Sequence, residues 1–313
     1  MTQNHGHTRY PSLDPTTRTE RLTPPEKPVS MVVDTDTYNE IDDQFAVVDA
    51  LLSEHTVEAL YAAPFDNDRS SGPADGMERS YEELGRLLER LEWPEDIRYR
   101  GSESYLPGPD EPVESPAATD LSERARATDG PLYVVAIGAV TNVASALLAD
   151  PDLVDELVVI WLGAQPHDWP TTAEFNCSQD LHAARVLFDS GVPLVHVPCT
   201  HVAEAVKTTI PELEAHLDDA NPIEAFLLER FTEYAPGDAD ADTAVWSKEI
   251  WDLAATAWLT APDAVRTVET HSPILTSEET WSVDRSRHTI AVATHIDRDV
   301  AFGSLFAALE TTR

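Results

Sequence analysis

The sequence predicts an α/β fold, a mostly parallel sheet with helices on both faces, and three observations carry that reading. Short runs of apolar, β-rich residues recur at Val29–Val33, Thr56–Ala63, Leu132–Ile137, Leu157–Leu162 and Pro193–Val197, each with the length and composition of a strand buried on both sides. Segments of helical period alternate with them. A burst of carboxylates ends the first run, where sheets of this class place their ligands, beyond the carboxyl ends of the strands.

Taken in order, Val29–Val33 is the first strand. Ile41, Phe45, Val48 and Leu52 then recur at helical spacing, with Asp42 and Asp43 where a helix N-terminus favours negative charge. Thr56–Ala63 is a strand, Arg69–Gly76 a Gly/Pro/Ser loop, and Met77–Leu91 an amphipathic helix. Leu132–Ile137 feeds a helix over Val143–Leu148, Leu157–Leu162 is a strand, Asp180–Asp189 a helix and Pro193–Val197 a strand. Helices follow at Pro222–Tyr234 and Glu249–Leu259, with an acidic loop at Pro236–Asp242 between them. Thr289–Ala293 is a last strand before a short helix over Ala301–Leu309. Residues 1–28 read as a flexible polar leader, in which His5 and His7 make no metal tail, and residues 29–313 as a single catalytic domain.

Composition narrows the function. Acidic residues number 57 against 21 basic ones, for a formal net charge of -36, and the lysines are Lys27, Lys207 and Lys248. No basic patch is available to neutralise phosphates, so a nucleic-acid partner is excluded. No apolar run reaches the length of a bilayer span and none of signal-peptide type opens the chain, so a cytoplasmic protein with no membrane partner is expected. Self-repulsion at this charge density needs screening, and the acidity reads as adaptation to a salty cytoplasm. The two cysteines, Cys177 and Cys199, are too few for a disulfide framework.

The chemistry concentrates in Asp34, Asp36, Asp42 and Asp43, four carboxylates within ten residues. Their repulsion is costly without a cation or proton to offset it. Oxygen donors at this density suit Ca²⁺ or Mg²⁺ in preference to zinc. His196, Cys199 and His201 have a spacing compatible with zinc, yet they end an apolar strand and read as structural; Asp180 reads as a helix cap or anchor.

Val-Val-Asp34-Thr-Asp36, followed by Asp42-Asp43-Gln-Phe-Ala, resembles the signature of the inosine-uridine preferring nucleoside hydrolase family. Ile137-Gly138-Ala139-Val140-Thr141-Asn142 resembles that family's Gly-Pro-Leu-Thr-Asn turn, and Ala173-Glu174-Phe175-Asn176 its ribose-binding segment. Trp251-Asp252 resembles the segment supplying the last metal ligand, so the likeness runs over roughly residues 30 to 310. It implies a nucleoside hydrolase-like fold and a Ca²⁺ held by Asp36, Asp43, the Thr141 carbonyl and Asp252. It also implies Asp36 as general base for a water attacking the anomeric carbon. Asp42, Asn67, Glu174 and Asn176 are implied ribose contacts, with Asp168 standing where the family usually has asparagine. The implied partner is a small nucleoside or ribosyl substrate, and the implied assembly a homodimer or homotetramer.

The chain departs from the common pattern at three further points. Five residues, Thr37–Ile41, separate Asp36 from Asp42 where the common loop has three, and Leu162-Gly163-Ala164 replaces a Met-Gly-Gly turn. Trp251 replaces a histidine found in one branch, and its resemblance to the purine-preferring branch implies stacking on the base. The bland alternative makes Trp251 a core residue of the helix Glu249–Leu259, on the same side as Trp258. Two rival functions fit the first motif. A haloacid-dehalogenase-like phosphatase would use Asp34 as nucleophile with Asp36, and a non-catalytic calcium- or ribose-binding protein would use the same fold.

Overall fold

The computed structural model describes residues 10–235 and 245–312; the acidic loop expected at Pro236–Asp242 lies outside the described residues. Six parallel strands form the main sheet: β1 (Ser30–Thr35), β2 (Thr56–Ala62), β3 (Arg98–Arg100), β4 (Leu132–Ala136), β5 (Leu157–Leu162) and β6 (Leu194–Val197). Their spatial order is β3-β2-β1-β4-β5-β6; Thr289–Ile296 then continues parallel to β6, and Val265–His271 closes the edge antiparallel to Thr289–Ile296. The chain thus winds outward from β1 in one direction and from β4 in the other. A crevice opens where the winding reverses, beyond the carboxyl ends of these two strands.

Alternation of side chains across the pleat builds two cores from one set of strands. Met31, Val33, Leu60, Val135 and Ile160 pack into one cluster, under the helices Asp42–Leu52 and Leu253–Thr260. Val32, Tyr61, Val134, Val159 and Trp161 pack into the other, under Thr141–Ala149 and Leu181–Ser190. Burial on both faces is why these strands read as continuous apolar runs.

Several elements differ from expectation. The helix expected at Glu249–Leu259 begins at Leu253, because Trp251 and Asp252 form a turn; Trp258 is fully buried beside Tyr133, whereas Trp251 is only partly buried. Leader residues are in part ordered, contrary to expectation: Pro15–Arg21 is helical, capped by Asp14, with Leu13 and Leu22 buried. Arg18 fixes that helix to the domain, donating to the Gly191 carbonyl at 2.7 Å. Residues 1–9 lie outside the described residues. Among the described residues, no helix is long and apolar enough to cross a membrane.

Asp49 is buried inside Asp42–Leu52 and accepts a hydrogen bond from the Thr260 hydroxyl at 2.7 Å. Burial pushes its carboxyl up to about 6, against the pull of the hydroxyls of Thr260 and Thr256. The folded state therefore holds this proton more tightly than the unfolded one, and stability is lost as pH rises from the unfolded value towards 6. In denaturant titrations of wild type and Asp49→Asn, the difference in stability should shift in the variant's favour by about 2 kcal/mol between pH 4 and pH 7. A pH-independent difference would contradict the assignment.

Candidate active site

The crevice at the reversal point contains a cavity of about 350 Å³. Asp36 leaves β1 into it, and Gly138, just after β4, makes room for the Asp36 carboxylate. A Cβ at Gly138 would lie 3.0 Å from Asp36 Cγ and Oδ1. Asp42 and Asp43 enter from the first turn of their helix, and Asp252 from the turn before Leu253–Thr260. Ligand oxygens of Asp42, Asp43 and Asp252 lie within 4.8 Å of one another, the only such convergence among the described residues. Asp36 lines the same cavity without joining that closest triple.

Electrostatics marks the cluster as incomplete. Asp36 Oδ1 and Oδ2 are both buried without a hydrogen-bond partner. Burial, then the charges of Asp43 and Asp42, push Asp36 well above the ordinary carboxylate range. Burial and the charges of Asp42, Asp43 and Asp36 do the same to Asp252. Asp43 rises to about 7 by burial, although the Thr35 hydroxyl and Asp252 hydrogen-bond to it and pull it down. Buried carboxylates that repel one another are stabilised by a proton or a cation. A hard divalent cation fits this donor set: it is all oxygen, convergent, and includes two oxygens with no other partner.

Neighbouring carboxylates are committed to architecture instead. Asp34 points to Asn142, whose Nδ2 donates to it at 2.8 Å, and Asp34 does not line the cavity. Asp180 accepts from Ala183 N at 2.9 Å, Leu106 N at 2.9 Å and the Thr141 hydroxyl at 2.7 Å, as an anchor should. Thr141 opens its helix with its side chain turned to Asp180 and, although expected as a ligand, does not line the cavity.

Glu174 lines the cavity while capping Phe175–Gln179, accepting from the backbone N–H groups of Asn176, Cys177 and Ala164. Ala164 donates at 2.7 Å from φ +57°, a left-handed conformation that the glycine of a Met-Gly-Gly turn would adopt without strain. Asn176 Nδ2 donates to the carbonyls of Ile137 and Leu162, so its oxygen is the end it can offer a ligand. Asn67 Nδ2 donates to Asn39 Oδ1 at 2.6 Å, tying the Thr37–Ile41 excursion to the rim.

Of the expected site residues, Asp36, Asp42, Asp43, Asn67, Glu174, Asn176, Trp251 and Asp252 meet in this one cavity. Asp168 does not; it lines a separate groove with His167, Trp169 and His201. Its segment bends away after Gln165, which corrects its expected substrate contact. His196, Cys199 and His201 do not converge either. His196 stacks on His167 and Trp161, Cys199 hydrogen-bonds to Glu174, and His201 is exposed. Asn39, Glu40, Gln165, Phe175, Cys199 and Thr200 also line the cavity. Phe175 was discoverable as the middle of the Glu-Phe-Asn motif, and Asn39 and Glu40 as the excursion after Asp36. Gln165 and Thr200 carry no sequence signal.

A doubly wound sheet whose reversal point opens on buried, oxygen-only donors defines an α/β protein equipped for a hard cation and a small polar ligand. Residues 73–303 match the family model described as inosine-uridine preferring nucleoside hydrolase, and the chain belongs to that family. The pyrimidine-specific ribonucleoside hydrolase RihA of Salmonella typhimurium is 32% identical over 170 residues, 52% of this chain and 54% of that protein. The chain thus spans about half the length of the curated relatives it matches. Among solved structures, an inosine-guanosine nucleoside hydrolase is similar at TM-score 0.72 and 19% identity, covering 90% of this chain and 99% of that one. The purine-preferring ribonucleoside hydrolase from Gardnerella vaginalis is similar at TM-score 0.73 and 20% identity, covering 90% and 98%. The expected α/β nucleoside hydrolase fold is therefore the observed one.

Asp252→Ala should weaken divalent-cation binding by at least about tenfold, read by titration calorimetry. An unchanged affinity would remove Asp252 from the cation's shell.

Proposed function

We propose that this protein hydrolyses the N-glycosidic bond of ribonucleosides in a calcium-dependent reaction, with purine bases favoured. The observation that carries the reading is the pair of buried, unpartnered Asp36 oxygens facing the convergent Asp42, Asp43 and Asp252. Asp36, Asp43, Asp252 and the Thr141 carbonyl would hold the calcium ion, which would supply the charge that keeps these carboxylates ionised and would act as a Lewis acid towards the ribose hydroxyls and a water.

Asp36 takes the proton of the water that attacks the anomeric carbon. Asp42 and Asn176 orient the ribose hydroxyls, Glu174 fixes the segment carrying Asn176, and Asn67 holds the rim over the sugar. The carboxylate lining stabilises the positive charge that grows on the sugar as the bond to the base breaks. Trp251 lines the cavity outside the core helix, which supports its role as a stacking face for the base and favours the larger purine ring. The assembly we propose is a homodimer or homotetramer, checked by light scattering.

A phosphatase built on Asp34 has no support here. That carboxylate is held by Asn142 outside the cavity, Lys207 pairs with Glu249 at 3.0 Å, and Lys248 pairs with Glu40.

Asp36→Asn should lower ribonucleoside turnover by at least about a thousandfold while leaving the thermal transition in place; retained turnover would overturn the mechanism. Release of base and reducing sugar from purine and pyrimidine ribonucleosides, in high salt, should stop on chelation of calcium and return when it is added. Equal rates for both base classes would remove the purine preference.

A further inference from the structure

Asp42 is the first residue of its helix, and the Thr37–Ile41 excursion delivers it to the cavity. Ile41, at the N-cap, offers no side-chain hydrogen bond, so local capping does not fix where that first turn begins. Other side chains do. Gln44 Nε2 donates to the Thr37 carbonyl at 2.7 Å, Asn67 Nδ2 to Asn39 Oδ1 at 2.6 Å and the Tyr234 hydroxyl to the Asn39 carbonyl at 3.3 Å. Arg69 lies over the Tyr38 ring at 4.4 Å, and Glu40 pairs with Lys248.

Lys248 stands on a rigid support. It lies opposite Thr208 in the short antiparallel ladder of Lys207–Thr208 with Lys248–Glu249. Fully buried Ile250 then donates its N–H to the Val206 carbonyl at 2.7 Å, and the turn carrying Asp252 follows directly. The other lysine of this ladder is an ordinary surface group: the Lys207 side chain is 39% exposed and pairs with Glu249 at 3.0 Å and Glu204 at 3.7 Å, contacts that salt screens. The Lys248 side chain is 15% exposed, where screening is weaker. Burial disfavours its charge, yet the charges of Asp42 and then Glu40 outweigh burial and hold the ammonium above its ordinary value. Glu40 and Asp42 both line the cavity, and Lys248, which does not, stands behind them.

Glu40, Asp42 and Asp43 fall within four residues. Repulsion spreads such a set, and a carboxylate that swings out of the cavity accepts nothing from a sugar inside it. One ammonium shared by Glu40 and Asp42 opposes that spreading from the side away from the ligand.

We propose that Lys248 is a positioning residue of the ribose subsite: seated behind the cavity wall, its ammonium holds Glu40 and Asp42 together so that the Asp42 carboxylate stays turned to a ribose hydroxyl. This rests on the hydrolase reading and names a residue on which its sugar recognition depends. Removing the ammonium has two effects of opposite sign. The sugar is held less well, whereas a divalent cation in the cavity, no longer repelled by a fixed positive charge, is held at least as well. A loss of structure would weaken both.

The test uses the full chain in high salt, with inosine or uridine, whichever is cleaved faster, and D-ribose as a ligand for calorimetry. Lys248→Met should raise KM and the ribose Kd by about tenfold, the worth of one charge-assisted hydrogen bond, with kcat changed by less than about threefold. It should narrow by the same factor the preference for that nucleoside over one of its 2′- and 3′-deoxy analogues. Lys248→Arg should restore sugar affinity, and calcium affinity should be unchanged or higher in Lys248→Met. Lys248→Gln, which keeps a hydrogen-bond donor but no charge, gives the same reading should Lys248→Met not fold. Ribose affinity equal to that of the wild type, or ribose and calcium weakened together, would overturn this proposal and leave the hydrolase reading standing as long as the wild type cleaves nucleosides. A wild type that neither cleaves a nucleoside nor binds ribose would overturn both.

Discussion

Repulsion among buried carboxylates is the constraint on which this structure turns. Asp36, Asp42, Asp43 and Asp252 arrive from three chain segments at one point where the sheet's winding reverses, and none is exposed enough for water to screen it. Only Asp43 has a side-chain hydroxyl, that of Thr35, to share its charge, and only Asp42 feels a nearby ammonium, that of Lys248. Burying charges this way without a compensating cation or protons opposes folding. The surrounding architecture is a means of holding the cluster despite that cost. Two strands stop at the crevice, a helix N-terminus faces it, and Gly138 leaves space for the Asp36 carboxylate.

A second set of acids does different work. Asp34 and Asp180 are as buried as the cluster and Glu174 is partly buried; Asp180 and Glu174 accept several backbone hydrogen bonds, and Asp34 accepts one, from Asn142. A carboxylate whose oxygens are filled by backbone N–H groups can neither accept a proton from a substrate water nor bind a cation without breaking those bonds. Asp36, with both oxygens unfilled, can do both. Asp34 and Asp36 thus differ in donors and position, since sequence proximity and burial are shared: Asp34 has one oxygen filled and lies outside the cavity, Asp36 has neither filled and lines it. That difference explains why Asp34 and Asp36, two residues apart on one strand end, have opposite fates. The pleat turns Asp34 towards Asn142, while Asp36 lies beyond the ladder and is free to face the crevice.

The same logic sets what was legible in the sequence. Strands buried on both faces announce themselves as apolar runs, and β1, β2, β4, β5 and β6 were all foreseen within a residue or two. Val265–His271 was missed because, as an antiparallel edge strand, it is largely exposed and carries Arg266, Glu269 and Thr270. The Asp-rich motifs named the cavity's inner wall because their spacing follows strand ends and helix starts. Its outer wall comes from loops: Gln165 and Thr200 meet there only after β5 and β6 have paired, and Asp168 is carried into another groove by the turn after Gln165. Trp251 was ambiguous for a definable reason: helical periodicity extends through it, and only the turn at Trp251–Asp252 separates it from the core residue Trp258.

Overall acidity and local acidity have to be kept apart. A net charge of -36 is spread over a surface where salt reduces each repulsion to little, since exposed charges beyond a Debye length are screened. Within the cavity the dielectric is low and screening is weak, so the few charges there outweigh the many outside. That asymmetry also bears on the rim. Lys248 is one of the chain's three lysines, and it sits largely covered between Glu40, Asp42 and the Tyr234 ring. It offsets part of the charge of Asp42 and pairs with Glu40 of the Thr37–Ile41 excursion.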